Sequence, residues 1–351
     1  MNAAPDVVHP KNNFDFLRIG AAYMVLFSHQ YSLTGQPQPA LGGYQTLGGL
    51  ALNIFFTISG FLVVQSWEQD PHPLRFAARR FLRIWPGLAA MGLVVVLVWA
   101  PLLTTVDLKA YFTDPQTRKF LSLLWLSFEY RLPGVFASNP LPFINGSLWT
   151  LAVEARWYLF LLIFGVLGLV RFRIALLAIW MMMAVNYFFL YDVENVTRHG
   201  GDRWWNTELG LFFMSGLCLY RFRDVWQPRA MGSLAVLGLL CVGLFLAHYR
   251  YASFTLATAA MVIAFGCRST PYLRQAGRFG DPSYGVYIYA FLVQQTVIAL
   301  TGNALGIALG FMVSAAVTAL VGFVSWHLVE QPALRLKTRL HRPPRVETAS
   351  G

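Results

Sequence analysis

Charge is scarce in this sequence. Asp, Glu, Lys and Arg make up 12% of its 351 residues, against about 25% in a typical soluble domain. Hydrophobic residues make up 56% and mean hydropathy is +0.52, which excludes a soluble globule and puts the chain in a lipid bilayer. Cysteine is scarcer still. Cys218, Cys241 and Cys267 lie in apolar stretches with no CxxC pair, which excludes a disulfide framework and a thiolate metal site and marks them as packing residues. Acidic residues are also few, 16 against 27 Lys and Arg, for a formal net charge of +11. The basic residues are scattered among apolar blocks, however, so they do not form the basic patch of a nucleic-acid-binding domain. They read as topology signals instead. The first thirteen residues lack a basic leader region, so no cleaved signal peptide is expected. There is no internal repeat and no soluble domain.

What the chain has is a series of apolar runs. Measured against the ~20 residues needed to cross about 30 Å of hydrocarbon, ten spans are expected near 14–33, 47–66, 84–105, 147–170, 174–191, 206–222, 230–247, 250–267, 283–301 and 304–329. The fold class is therefore an all-α integral membrane protein with about ten transmembrane helices. A single domain covers 1–351, with its spans within about 12–335 and a basic tail over 336–351. Short cytoplasmic loops are enriched in Lys and Arg. With the N-terminus inside, the inner segments hold 19 of the 27 basic residues, so both termini are expected in the cytoplasm. The outer segment 106–146 is long and contains "KFLSLLWLSFEY", which is too short to span and is expected to lie in the interface or dip back into the protein.

Polar residues inside spans are costly and usually face protein or water. Arg18 and His29, in "FDFLRIGAAYMVLFSHQYSL", are eleven residues apart, about 1100° of helical rotation, so they share one face separated by ~16 Å. With the helices oriented, His29, Asn53 on the second span and Glu154 on the fourth share the outer half of the membrane. A lone Asn or His in a span also serves as hydrogen-bonding glue between helices. A carboxylate at the depth of an imidazole does more, because it orients the ring and raises its basicity for work as a general base. At the inner face, "RFAARRFLRIWP" sets Arg80 and Arg83 three residues apart on one helical face, a geometry suited to gripping phosphate. Positive-inside anchoring is the plainer account of the same cluster. Ser59, in "ISGFL", is a candidate covalent acyl carrier, although a Ser-Gly pair in a span also serves close helix packing.

Five separated stretches, "NNFDFLRIGAAYMVLFSH", "NIFFTISGFLV", "RRFLRIWP", "NGSLWTLAVEARWYL" and "GVYIYAFLVQQ", followed by "WHLVEQPALR", resemble the acyltransferase 3 membrane proteins, which acylate sugars and other surface molecules. The resemblance runs from Asn12 to Arg335. No extra hydrolase-like domain follows the last span, so the chain is similar to the short members. The resemblance implies that His29 of the R-x10-H motif is catalytic, with Arg18 as the Arg of that motif. It implies that Arg80 and Arg83, with Arg18, bind an acyl-CoA donor, and that Glu154 is the motif glutamate, catalytic together with His29. Asn53, Ser59, Trp149, Arg156, Tyr158 and Gln294 are then expected to line the acceptor site. The chain departs from the family pattern at Ala155 and Arg156, and at Leu292, where a proline is common.

The expected function is transfer of an acyl group, acetyl first, from its coenzyme A thioester to a hydroxyl of a surface glycan such as O-antigen or exopolysaccharide, in a bacterial inner membrane. No metal and no permanently bound cofactor is expected. The acyl-CoA is a co-substrate, and the glycan acceptor and the bilayer are the other partners, with no nucleic acid. A transporter or flippase of polysaccharide precursors is the competing class, since polar residues between spans also describe a substrate path. It predicts two related halves with Gly/Pro-interrupted spans, and the sequence has no such symmetry. Acceptor sugar, acyl group and oligomeric state stay open.

Overall fold

The computed structural model describes residues 12–42, 45–190 and 202–340. Among these the chain is almost wholly helical, with only the short antiparallel pair Ala40–Leu41 and Gln45–Thr46. The main helices are α1 (Phe14–Leu33), α2 (Leu47–Gln69), α3 (Pro73–Val94), α4 (Trp149–Val166), α5 (Arg173–Val185), α6 (Asp202–Arg221), α7 (Ala230–Leu246), α8 (Arg250–Gly266), α9 (Ser283–Thr301), α10 (Gly306–Ser325) and α11 (Gln331–Leu340). Helices thus occupy all ten expected intervals. Six helical segments among the described residues are long and apolar enough to cross a membrane: 47–69, 73–103, 149–166, 223–246, 283–301 and 306–337. The chain is a multi-pass membrane protein of all-α class.

Local chemistry sets the ends that matter for the site. Thr46 caps α2 by accepting from the Gly49 amide at 3.0 Å. His72 and Pro73 start α3, where a proline loses no helical hydrogen bond. Through the π turn Trp326–Glu330, α10 continues into α11, which packs along α3. Residues 336–340 of the expected basic tail belong to α11. Residues 341–351 lie outside the described residues.

The closest packing joins α2 to α6. A Cβ on Gly60 would stand 1.9 Å from the Phe213 carbonyl oxygen, and one on Gly216 2.0 Å from that of Thr57. Glycines let the two backbones touch, the usual device where lipid supplies no hydrophobic drive. Gly60→Ala should push the helices apart and cost about 1–3 kcal/mol or more by overpacking. Thermal unfolding of the detergent-solubilised variant measures it, and a wild-type Tm would sink the close-approach account.

The segment 106–146 does dip back. Its helix Pro115–Phe120 and 3-10 turn Leu121–Trp125 bring the Leu124 carbonyl to the Trp85 indole of α3 at 2.8 Å. Farther on, Asn139 donates to the Gln295 side chain at 2.8 Å and Asn145 to the Ile288 carbonyl at 2.7 Å. These bonds tie the approach to α4 onto α9.

Candidate active site

The four arginines that open α3 divide by partner. Arg75 and Arg79 both donate to Asp70, and the hydrogen bond from Arg75 and then the charge of Arg79 hold that carboxyl below the usual carboxylate range against burial. Arg80 and Arg83 instead line a cavity of about 830 Å³ that Arg18, Ser59, Glu154 and Tyr158 also line. Arg83 donates to Asp281 at 2.8 Å, and Arg18 stands 3.7 Å from the same carboxylate while pairing with Asp15. Burial alone would raise the pKa of Asp281. The two guanidiniums and the Ser283 hydrogen bonds outweigh it and hold the group ionised well below the ordinary range. Arg80 makes no ion pair among the described residues; it lies over the Tyr158 ring at 5.6 Å and donates to Ser66 at 3.4 Å. The N–H groups at Nε of Arg80 and of Arg18 are buried with no acceptor among the described residues, as are those of Arg79 and Arg221 outside the cavity.

Farther in, Glu154 and Tyr158, four apart on α4, share one helical face. The Tyr158 hydroxyl donates to Glu154, and Ser59 Oγ lies 3.3 Å from Glu154 and 3.2 Å from Tyr158. While Gly60 packs on α6, Ser59 next to it faces the cavity. Thr150 and Tyr287 line the same cavity and share a 2.5 Å hydrogen bond. The Tyr287 hydroxyl also donates to the Ser147 carbonyl at 2.6 Å, and Ser147 Oγ is 3.4 Å from His29 Nδ1. A string of hydrogen-bonding groups thus leads from the cavity to His29, whose ring meets the edge of Phe291 at 5.3 Å between centroids.

Several expected neighbours part company. His29 and Glu154 do not pair: their partners are Ser147 for the first and Ser59 and Tyr158 for the second. The reason is depth, since His29 is level with Ser147 and Glu154 lies seven residues farther on, about 10 Å along a helix. Asn53 belongs to a separate buried cluster, donating at 3.3 Å to Glu208 on α6, which also accepts from Gln45 and Tyr251. Gln294 is buried and bonds α1, donating to the Leu26 carbonyl at 2.9 Å and to Gln30 at 2.7 Å. It therefore sets the seat of His29 on α1 against α9 and does not line the cavity. Arg156 is exposed, its Nε donating back to the Ala152 carbonyl at 3.2 Å, and Trp149 packs on the core. Neither lines the cavity.

Asp281, Ser147, Tyr287 and Lys337 were missed. Asp281 did carry a signal, an acid placed in an arginine-rich loop just before a span. Ser147 and Tyr287 lie within the quoted stretches "NGSLWTLAVEARWYL" and "GVYIYAFLVQQ", but nothing in their spacing shows that the two meet or that Ser147 reaches His29. If Ser147 orients the imidazole, Ser147→Ala should lower turnover by roughly three- to tenfold, the worth of one ordinary hydrogen bond, with donor KM unchanged. Steady-state kinetics separate the two, and an unaltered turnover would remove Ser147 from the site.

Comparison with known proteins identifies the family. The acyltransferase domain family model matches residues 11–327. The chain is 30% identical to an O-acetyl transferase of Shigella phage Sf6, over 92% of this chain and 96% of the relative. It is 29% identical to Nodulation protein 10 of Rhizobium leguminosarum bv. viciae, over 94% and 95% of the two chains. A peptidoglycan O-acetyltransferase of Listeria monocytogenes is 32% identical over 33% of this chain and 20% of its own length. No solved structure matches significantly. Motifs, membrane helices and relatives agree, and the chain belongs to the acyltransferase 3 family of membrane acyltransferases.

Proposed function

We propose that this protein moves an acetyl group from acetyl-CoA to a hydroxyl of a surface glycan, in the inner membrane of a bacterium, through ten spans with both termini in the cytoplasm. The observation that carries the reading is the cavity itself. It opens among Arg18, Arg80 and Arg83, and it runs inward past Ser59, Glu154 and Tyr158 to Thr150 and Tyr287, beyond which Ser147 meets His29. The arginines hold the donor's phosphates, and the pantetheine arm lies along the polar wall with the thioester beyond Tyr287. His29 takes the proton of the acceptor hydroxyl as its oxygen attacks the thioester carbonyl. The C–S bond then breaks, and the CoA thiolate recovers a proton from the imidazolium. Glu154, which does not meet His29, acts on the donor side by fixing Ser59 and Tyr158. The relatives named as O-acetyl transferases support acetyl and oxygen as group and acceptor atom.

The test is direct. Purified protein is incubated with radiolabelled acetyl-CoA and a panel of lipid-linked glycans, and product label is followed by chromatography. Label on a glycan hydroxyl is the expected result. Transport of the same glycans across vesicles without acetylation would overturn the reading in favour of a flippase.

A further inference from the structure

A further cation, on an element that the arginine motif does not include, stands at the mouth of this cavity. Lys337 of α11 lines it together with Arg18, Arg80 and Arg83. The register follows from packing: Glu330 stands opposite Gly87, whose added Cβ would lie 3.5 Å from its Cγ. From there α11 and α3 run in opposite directions. Seven residues along each, about 10 Å of helix, bring Lys337 level with Arg80, and both stand a turn outside Arg83. The four arginines whose charge reaches Lys337 are Arg80, Arg83, Arg79 and Arg18. Three of these are matched by acids, Arg79 by Asp70 and Arg83 and Arg18 by Asp281. Arg80 and Lys337 have no ion pair among the described residues, and Arg80 Nε is a buried donor without an acceptor. Two cations at one level without an ion pair, in a wall already crowded with positive charge, favour an anion between them.

We propose that Lys337 and Arg80 form a phosphate subsite that takes the 3′-phosphate of the coenzyme A donor, while Arg83 and Arg18 serve the diphosphate. The assignment rests on the donor reading above and on the order of groups along the ligand. The diphosphate is joined directly to the pantetheine arm and must lie nearer the thioester. The 3′-phosphate, on the ribose, lies farther out, where Lys337 and Arg80 stand.

The experiment uses the whole protein in detergent, titrated by calorimetry with coenzyme A and with 3′-dephospho-coenzyme A, as wild type, Lys337→Gln and Lys337→Arg. Wild type should bind coenzyme A more tightly by roughly 10- to 100-fold, the worth of a charge-assisted hydrogen bond to a phosphate. Lys337→Gln should cut that preference at least several-fold, Arg80 retaining the rest, while leaving affinity for the dephospho ligand unchanged, and Lys337→Arg should keep most of it. A Lys337→Gln protein that weakens both ligands equally, or neither, overturns the subsite and leaves the donor reading standing. Wild type that binds neither ligand overturns both together. Lys337→Arg keeps the charge on α11, so loss of the preference in that variant too, with elution and Tm unchanged, would also count against a phosphate held by charge at this position.

Discussion

His29→Ala should lose transfer by 10²- to 10⁴-fold, the range that a positioned general base supplies, with the protein inserted and folded as before. The ring is half-buried on α1, and its contacts are one hydroxyl and one ring edge, so its removal leaves a small gap but no orphaned charge. α1 stays seated through Gln294, which bonds Gln30 and the Leu26 carbonyl. Binding of coenzyme A should be unchanged, because His29 lies beyond the groups that line the cavity. Activity is read by label transfer and integrity by gel filtration and donor titration. Wild-type turnover in a folded variant would refute the assignment.

Replacing Arg80 and Arg83 together by Gln should raise the donor KM by roughly 10²-fold or more, since each charge-assisted bond contributes ~1.5–3 kcal/mol, while acceptor KM stays near wild type. Arg80→Gln alone should carry the larger share. Arg83 and Arg18 share Asp281, whose ionised carboxylate already offsets part of their charge, and Arg80 has no such partner. Lys at both positions should rescue only in part, because it brings charge without the planar fork. Added salt should weaken donor binding more in wild type than in the double variant, as screening acts on the charges that remain. In vesicles of known orientation, acetyl-CoA should work only from the side on which α2 gives way to α3. Activity with donor on the opposite side alone would sink the topology and the arginine assignment at once.

The contrast between Arg80 and Arg83 illustrates how far a linear reading reaches. Spacing put both on one face of α3, and the structure keeps both in the cavity. It could not tell that Arg75 and Arg79 are occupied by Asp70, since that depends on how the turn between α2 and α3 folds. The same limit undid the pairing of His29 with Glu154. Depths were counted from the ends of apolar runs, and α4 begins at Trp149 only after an irregular approach held down by Asn139 and Asn145. That approach, and no periodicity in the chain, sets Ser147 against the imidazole and puts Glu154 a full two turns away among the donor-side groups.

The amino-acid sequence by itself determined the class of the molecule. Hydropathy and run length follow from composition within each segment, so the ten helical intervals, the membrane setting and the family were all legible without a single contact. Local spacing also determined which side chains share a helical face, hence Arg80 with Arg83 and Glu154 with Tyr158. Only the tertiary structure decided which faces meet. It brought Asp281 to Arg18 and Arg83, Lys337 into the cavity that Arg80 lines from the far end of the chain, and Asn53 to Glu208 instead of to His29. In a bilayer every helix is apolar on nearly every side, so the pattern that would mark an inward face in water is almost erased. The choice of neighbours falls to close glycine contacts such as Gly60 on α6 and to the few polar groups that must find partners.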